Sequence, residues 1–130
     1  MAGVTYDTGA LLAAERSDRG MWALHAGYLR LGSVPTVPAP VLAEAWRGGS
    51  RQAQLSRLLA MCDVEAMTEE QARAVGSLAG RADHKDIVDV TVVEGAIRRG
   101  DAIVTADEDD IRRIVQAAAA TLNIVSTLAF

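Results

Sequence analysis

Short β-branched runs alternate with longer stretches of helical periodicity from one end of this chain to the other, and that alternation leaves few architectures open. A strand, a helix and a further strand close most simply as a parallel pair with the helix packed across them. Repeated units therefore imply a mainly parallel sheet covered by helices on both faces. Gly3 to Tyr6 reads as the first strand, ending at Asp7, and Thr8 to Ala14 as a helix start. Asp18 or Ser17 caps a second helix, in which Met21, Trp22, Leu24, Tyr28, Leu29 and Leu31 recur at helical spacing. Val34 to Pro38 is extended, because each proline biases the preceding residue away from helix. Pro40 suits the first turn of a helix through Trp46, which Gly48-Gly49 stops. Residues 51–62 place Leu55, Leu58, Leu59 and Cys62 on one helical face, and Asp63 to Met67 reads as a brief strand. Thr68 with Gln71 forms a capping box for a helix through about residue 80, and Asp86 or a neighbour opens another that ends near Gly100. Ala102 to Thr105 is a buried strand by composition. Asp107 to Asp110 open a helix through the alanine run, and Leu122 to Val125 form a buried closing strand.

A chain of 130 residues supports one domain spanning 1–130, with enough core to stand alone. Cys62 is the sole cysteine, which excludes a disulfide framework or a thiolate metal cage within one chain and suits a reducing, cytoplasmic setting. The start of the chain carries no charged leader followed by a long apolar run, so no secretion signal is read there. Ile114 to Phe130 lacks charge but is 17 residues long and interrupted by Gln116, Thr121, Asn123, Ser126 and Thr127, so no membrane span is expected. Aromatic residues make up 4%, too few for a base-stacking platform. The net charge of −4 has the wrong sign for a nucleic-acid binder unless several acids gather round a cation.

The positions of the acids suggest that they do gather. In parallel α/β sheets, ligands collect outside the carboxyl ends of the strands. Asp7 follows the first strand directly, Asp107 lies two residues past 102–105, Glu44 lies one turn into the helix after the second strand, and Asp89 lies near the start of the helix leading to 102–105. Four carboxylates crowded together raise one another's pKa or push the fold apart, and a divalent cation removes that cost. Oxygen-only ligation favours Mg2+ or Mn2+ over zinc, and such a site suits phosphodiester hydrolysis. Asp86 competes with Asp89 for this role and also reads as a helix cap. Glu108 and Asp109 read as solvated acids favoured by the helix dipole. Asp110, three residues past Asp107 on the same helical face, is an auxiliary ligand candidate, and Thr105 a hydroxyl that orients a carboxylate.

Val4-Thr5-Tyr6-Asp7-Thr8-Gly9-Ala10-Leu11-Leu12 resembles the opening of PIN-domain nucleases, in which an Asp at the end of strand one precedes a small hydroxyl residue. Val37-Pro38-Ala39-Pro40-Val41-Leu42-Ala43-Glu44-Ala45 resembles their second acidic motif. Asp89 to Ala96 and Gly100 to Asp107 resemble the third and fourth, and the interval of 18 residues from Asp89 to Asp107 selects Asp89 over Asp86. The compact chain looks most like VapC-type toxins of toxin–antitoxin pairs. The resemblance covers nearly the whole chain, and its specificity lies in four individually weak motifs in the right order. It implies a three-layer α/β/α PIN-like fold with a mainly parallel central sheet, and Mg2+- or Mn2+-dependent cleavage of RNA. Carried over, it makes Asp7, Glu44, Asp89 and Asp107 the catalytic and metal-holding acids, with Thr8 and Thr105 supporting them. It also implies a cognate antitoxin that covers the site, and a homodimer. Ala106 departs from the Ser, Arg or Asn often found there, which puts any substrate contact from that position in doubt.

Setting the four acids aside leaves the remaining charge balanced, so bulk acidity is no obstacle to an RNA substrate. Twelve of the thirteen basic residues are arginine, whose planar fork suits phosphate oxygens. Arg16, Arg19, Arg47 and Arg51 flank Asp7 and Glu44 in sequence and are the candidates for RNA contact at the rim. Arg98-Arg99 and Arg112-Arg113 read as solvated helix faces. His25 reads as structural, and His84 as an exposed loop residue or a substrate contact. Trp22, Tyr28 and Trp46 suit core packing. Alternatively, Trp22, Met21 and the Leu55–Leu59 face border a groove for the antitoxin. Two rival readings stand beside the nuclease: a receiver-like signalling domain and a non-catalytic PIN-like partner-binding module. The solitary early acid Asp7 and the loop position of Lys85, the sole lysine, count against the receiver.

Overall fold

The structure, a computed structural model, describes residues 3–129. In chain order the elements are β1 (Val4–Tyr6), α1 (Thr8–Glu15), α2 (Arg19–Arg30), β2 (Thr36–Pro38), α3 (Ala39–Ala45), α4 (Ala53–Leu59), β3 (Asp63–Glu65), α5 (Glu69–Ala82), α6 (Ile87–Arg99), β4 (Ala102–Thr105), α7 (Glu108–Ala117) and β5 (Ile124–Ser126). Short 3-10 turns cover Ser50–Gln52 and Thr127–Ala129.

Among the described residues the five strands form one all-parallel sheet in the order β3-β2-β1-β4-β5. From β1 the chain moves outward through β2 to β3, then crosses back to β4 and on to β5. Right-handed crossovers place helices met on the outward path on one face and those met on the return path on the other. Accordingly α1 packs on α2, α3 and α4, while α5, α6 and α7 pack on one another, which gives three layers, α/β/α. The direction reverses between β1 and β4, where Val4 pairs with Ala102 and Tyr6 with Val104. At such a reversal parallel sheets generally have a crevice outside the strands' carboxyl ends, the place where they hold ligands.

Val4, Tyr6, Val37, Ile103 and Val104 are fully buried because both faces of the inner strands are covered. Leu11, Met21, Leu55, Leu58, Val90, Val93, Ile111 and Ile114 fill the two helix layers. The helix starts follow side-chain chemistry. The carboxylate of Asp18 accepts from Met21 N–H, Thr68 Oγ1 accepts from Gln71 N–H, and Asp86 accepts from Val88 and Asp89 N–H.

Several boundaries differ from those read in the sequence. The 51–62 segment splits into a 3-10 turn and a short α4, leaving Cys62 beyond the helix. Helix α7 stops at Ala117 within the alanine run, and Ala119 takes a positive φ of 54° so that the chain can turn into β5. Propensity favours continued helix there, but reaching the sheet edge overrides it. Strand β5 is half-buried rather than buried, since it lies at an edge. Arg98 and Arg99 are not simply solvated. Arg99 donates to Glu65, Asp101 and Thr5, and Arg98 donates to Glu65 and Glu94.

Candidate functional site

Strand β1 ends by delivering Asp7 into the crevice. Its N–H donates to Val104 O at 2.9 Å, which continues the pairing with β4 and fixes the residue's height. Asp7 as a whole is 4% exposed. Asp7 Oδ1 accepts from Thr8 N–H at 2.7 Å, at the start of α1, and Oδ2 accepts from Thr105 Oγ1 at 2.8 Å, at the end of β4. The same Thr105 hydroxyl accepts from Asp107 N–H at 2.9 Å. One hydroxyl thus fixes the segments carrying two acids that lie 100 positions apart. Asp107 sits at the N-cap of α7, yet its side chain makes no capping hydrogen bond and stays uncommitted. Thr8 Oγ1 donates to Glu44 Oε1 at 2.6 Å, which brings exposed Glu44 from α3 to the start of α1. Close approach of these loops depends on Gly9, where a Cβ would lie 2.4 Å from Ala106 Cβ and 2.8 Å from its backbone nitrogen.

The first turn of α6 adds Asp89, which is 8% exposed. Asp86 beside it is occupied as the helix cap. Helix α5 ends where Asp83 adopts φ +50°, and the His84 N–H then donates to Ala79 O at 3.1 Å. This turn sets His84 Nε2 3.2 Å from Asp89 Oδ2. His84 is largely covered, its side chain 16% exposed, contrary to the exposed loop residue read from the sequence. Ligand atoms of His84, Asp89 and Asp110 lie within 4.8 Å of one another. Asp110 also pairs with Arg113.

Burial, opposed by hydrogen bonds from Thr105 and Thr8, raises the Asp7 carboxyl above its ordinary pKa, and the nearby charges of Glu44 and Asp86 push the same way. Asp89 is pushed up to about 6, first by burial and then by the charges of Asp7, Asp86 and Asp107, against the lowering effect of the His84 hydrogen bond. Hydrogen bonds through Thr105 and Thr8 join the segments that carry Asp7, Asp107 and Glu44, and Asp89 lies within reach of the charges of Asp7 and Asp107. Among the described residues, the group with ligand atoms close enough to share one ion is His84, Asp89 and Asp110, and it does not include Asp7, Glu44 or Asp107. Buried carboxylates that resist ionisation in each other's company match the needs of a divalent cation, which would hold them all charged.

The basic residues are placed less favourably. Arg16 caps the far end of α1, about 12 Å along the helix axis from Thr8. Arg19 opens α2 beyond that end. Arg51 lies in the turn whose Gln52 donates to Glu15, again at the far end of α1. Arg47 folds onto Ala43 O and Trp46 O at the end of α3. Proximity in sequence therefore does not carry Arg16, Arg19 or Arg51 to the acids, because α1 leads the chain away from them. The suggested apolar groove is also displaced. Met21, Leu55 and Leu58 are completely buried, and Trp22 is partly covered, with Arg57 4.7 Å above its ring. Exposed apolar grooves lie elsewhere, one lined by Ala39, Leu42, Ala43, Trp46 and Leu59 along α3 and another by Ala23, Leu24, Gly27, Tyr28, Arg30 and Leu31 along α2. His25 is buried, with Nδ1 hydrogen-bonded to the Tyr6 hydroxyl at 2.8 Å, as a structural residue would be.

The PIN-domain family model matches residues 4–116. Among solved structures, the chain is similar to one in the crystal structure of VapBC2 from Rickettsia felis bound to a DNA fragment from their promoter. The TM-score is 0.76, the identity 14%, and the match covers 95% of this chain and 97% of that one. No curated protein matches the sequence significantly.

Proposed function

This chain belongs to the PIN-domain family, and from that premise we propose that it is a divalent-cation-dependent endoribonuclease, the VapC-like toxin of a toxin–antitoxin pair. PIN domains are generally nucleases. The observation that supports the reading here is the hydrogen-bond network at the switch point of the sheet, where Thr105 and Thr8 join the segments carrying Asp7, Asp107 and Glu44, with the Asp7 and Asp89 carboxyls held above their ordinary range. Asp7, Asp89 and Asp107 would hold Mg2+ or Mn2+, with Asp110 as a further ligand, and Glu44 would hold it through water or orient the nucleophile. When bound, such an ion stabilises charge on phosphate oxygens and makes water a better nucleophile.

The chain's own residues contribute placement. Thr105 holds the carboxylate of Asp7 and the backbone of Asp107, leaving the Asp107 side chain uncommitted. Thr8 likewise holds Glu44, whose exposure leaves it free to accept a proton from a water in the crevice. The same reading makes the 1–130 chain one cytoplasmic domain, working as a homodimer and held silent by a cognate antitoxin. The resemblance to a VapBC assembly supports the antitoxin, and the apolar groove along α3 offers its apolar side chains a seat. Asp7→Asn tests the proposal. The purified variant should keep its circular dichroism spectrum and lose RNA cleavage to background. Wild-type cleavage by a folded variant free of other nucleases overturns it.

A further inference from the structure

Oxygen ligation accounts for Asp7, Glu44, Asp89 and Asp107, but not for the imidazole of His84 held against Asp89. We infer that His84 is itself a ligand, joining Asp89 and Asp110 to give the cation site a nitrogen-containing side that favours a first-row transition dication over Mg2+. This rests on the reading above of the acidic crevice as a cation site, and adds to it which cation the crevice prefers.

Distance supports the assignment. Two neighbouring ligands on an octahedral ion with bonds of about 2.1 Å stand about 3 Å apart. His84 Nε2 and Asp89 Oδ2 are already 3.2 Å apart, and the three candidate atoms span at most 4.8 Å. Arg113 takes Asp110 Oδ1, which leaves Oδ2 for an ion.

Placement supports it independently. His84 is not a floppy loop side chain. Its backbone is held by the stop of α5 through the bond to Ala79 O, and two residues later Asp86 caps α6. Asp89 follows in the first turn of α6, so both donors belong to one rigid helix–turn–helix corner. The hydrogen bond to Asp89 and ligation of a cation compete for the same Nε2. Ligation uses its lone pair, with the proton carried on Nδ1. Imidazole suits transition metals, whereas Mg2+ prefers oxygen donors and retained water.

The test uses the full chain, freed of metal and titrated with MnCl2 or MgCl2 by calorimetry, with pulsed electron paramagnetic resonance on the Mn2+ complex. The wild type should bind Mn2+ at least tenfold more tightly than Mg2+ and show 14N modulation from one imidazole. His84→Gln should abolish that modulation and weaken Mn2+ about tenfold or more while changing Mg2+ affinity less than about threefold. Asp110→Asn should weaken Mn2+ but keep the nitrogen signal. Mn2+ bound without 14N modulation in the wild type, or an unchanged Mn2+/Mg2+ ratio in His84→Gln, overturns the inference and leaves the oxygen-ligated nuclease site standing. Binding of neither ion to the wild type overturns both.

Discussion

Thr105 commits its single hydroxyl proton to Asp7 and its lone pair to the amide of Asp107, so a change of one atom there reaches both acids. Thr105→Val keeps shape and burial but leaves Asp7 Oδ2 without a donor. Urea unfolding should show a loss of about 1–2 kcal/mol, and RNA cleavage should fall about 10–100-fold. Asp89 gives the opposite sign for stability. Its folded carboxyl sits near 6, above the usual carboxylate range, so the fold favours the protonated form. Stability linked to Asp89 is therefore fully present below about pH 4 and is lost as pH rises through 6. In metal-free protein Asp89→Asn should raise Tm at pH 7.5, and the gain should vanish near pH 4, while cleavage is abolished. Thermal melts across that range check it. At this scale the sequence was readable where a rule ties residue to place: an acid directly after a strand must emerge at the sheet's carboxyl edge, as Asp7 does. His84 was misread as exposed because its position depends on how α5 stops, and a non-glycine residue at positive φ, Asp83, gives almost no sequence signal.

Helices and strands were recognisable to within a few residues wherever a cap or an apolar run marks them. Asp18, Thr68 and Asp86 start their helices through side-chain bonds, and β4 occupies the four residues its composition suggests. Errors cluster where tertiary demands override local preference, as at the early stop of α7 and the division of 51–62. Arg16, Arg19 and Arg51 neighbour Asp7 and Glu44 in sequence but not along the fold, for an element-scale reason: α1 begins at Asp7 and carries the chain about 12 Å away from it. The same element explains Gly9. Helix α1 must start against the β4–α7 junction for Asp7 to meet Thr105, and the backbone of Ala106 leaves no room for a methyl group. Gly9→Ala should cost about 1–3 kcal/mol and push α1 outward. Cleavage should then fall more than the remaining folded fraction explains, as measured by activity per folded molecule.

Across the whole molecule, the same sheet order that builds the crevice also gathers charge beneath it. Arg99, at the end of α6, ties Glu65 of β3 to Thr5 of β1 and Asp101 before β4, joining three separate strand neighbourhoods. Asp101 is 5% exposed, and removing its partner leaves a buried charge with only Thr5 to answer it. Arg99→Met should cost about 3 kcal/mol, visible as a lower urea midpoint at unchanged m-value, with cleavage per folded molecule preserved. The all-parallel order was legible only as a class, because alternation fixes the layers but not which strand neighbours which. That order has a temporal consequence. The partner β1 needs on one side is β4, and the bond from Thr105 to Asp7 spans 98 positions. A ribosome extends the polypeptide from its first residue, so every nascent chain that stops short of 107 displays an unfinished set of acids beside a sheet missing its inner neighbour. Assembly of the acidic site therefore waits until residue 107 has been made, and a shorter nascent chain lacks the bond that holds Asp7 in place.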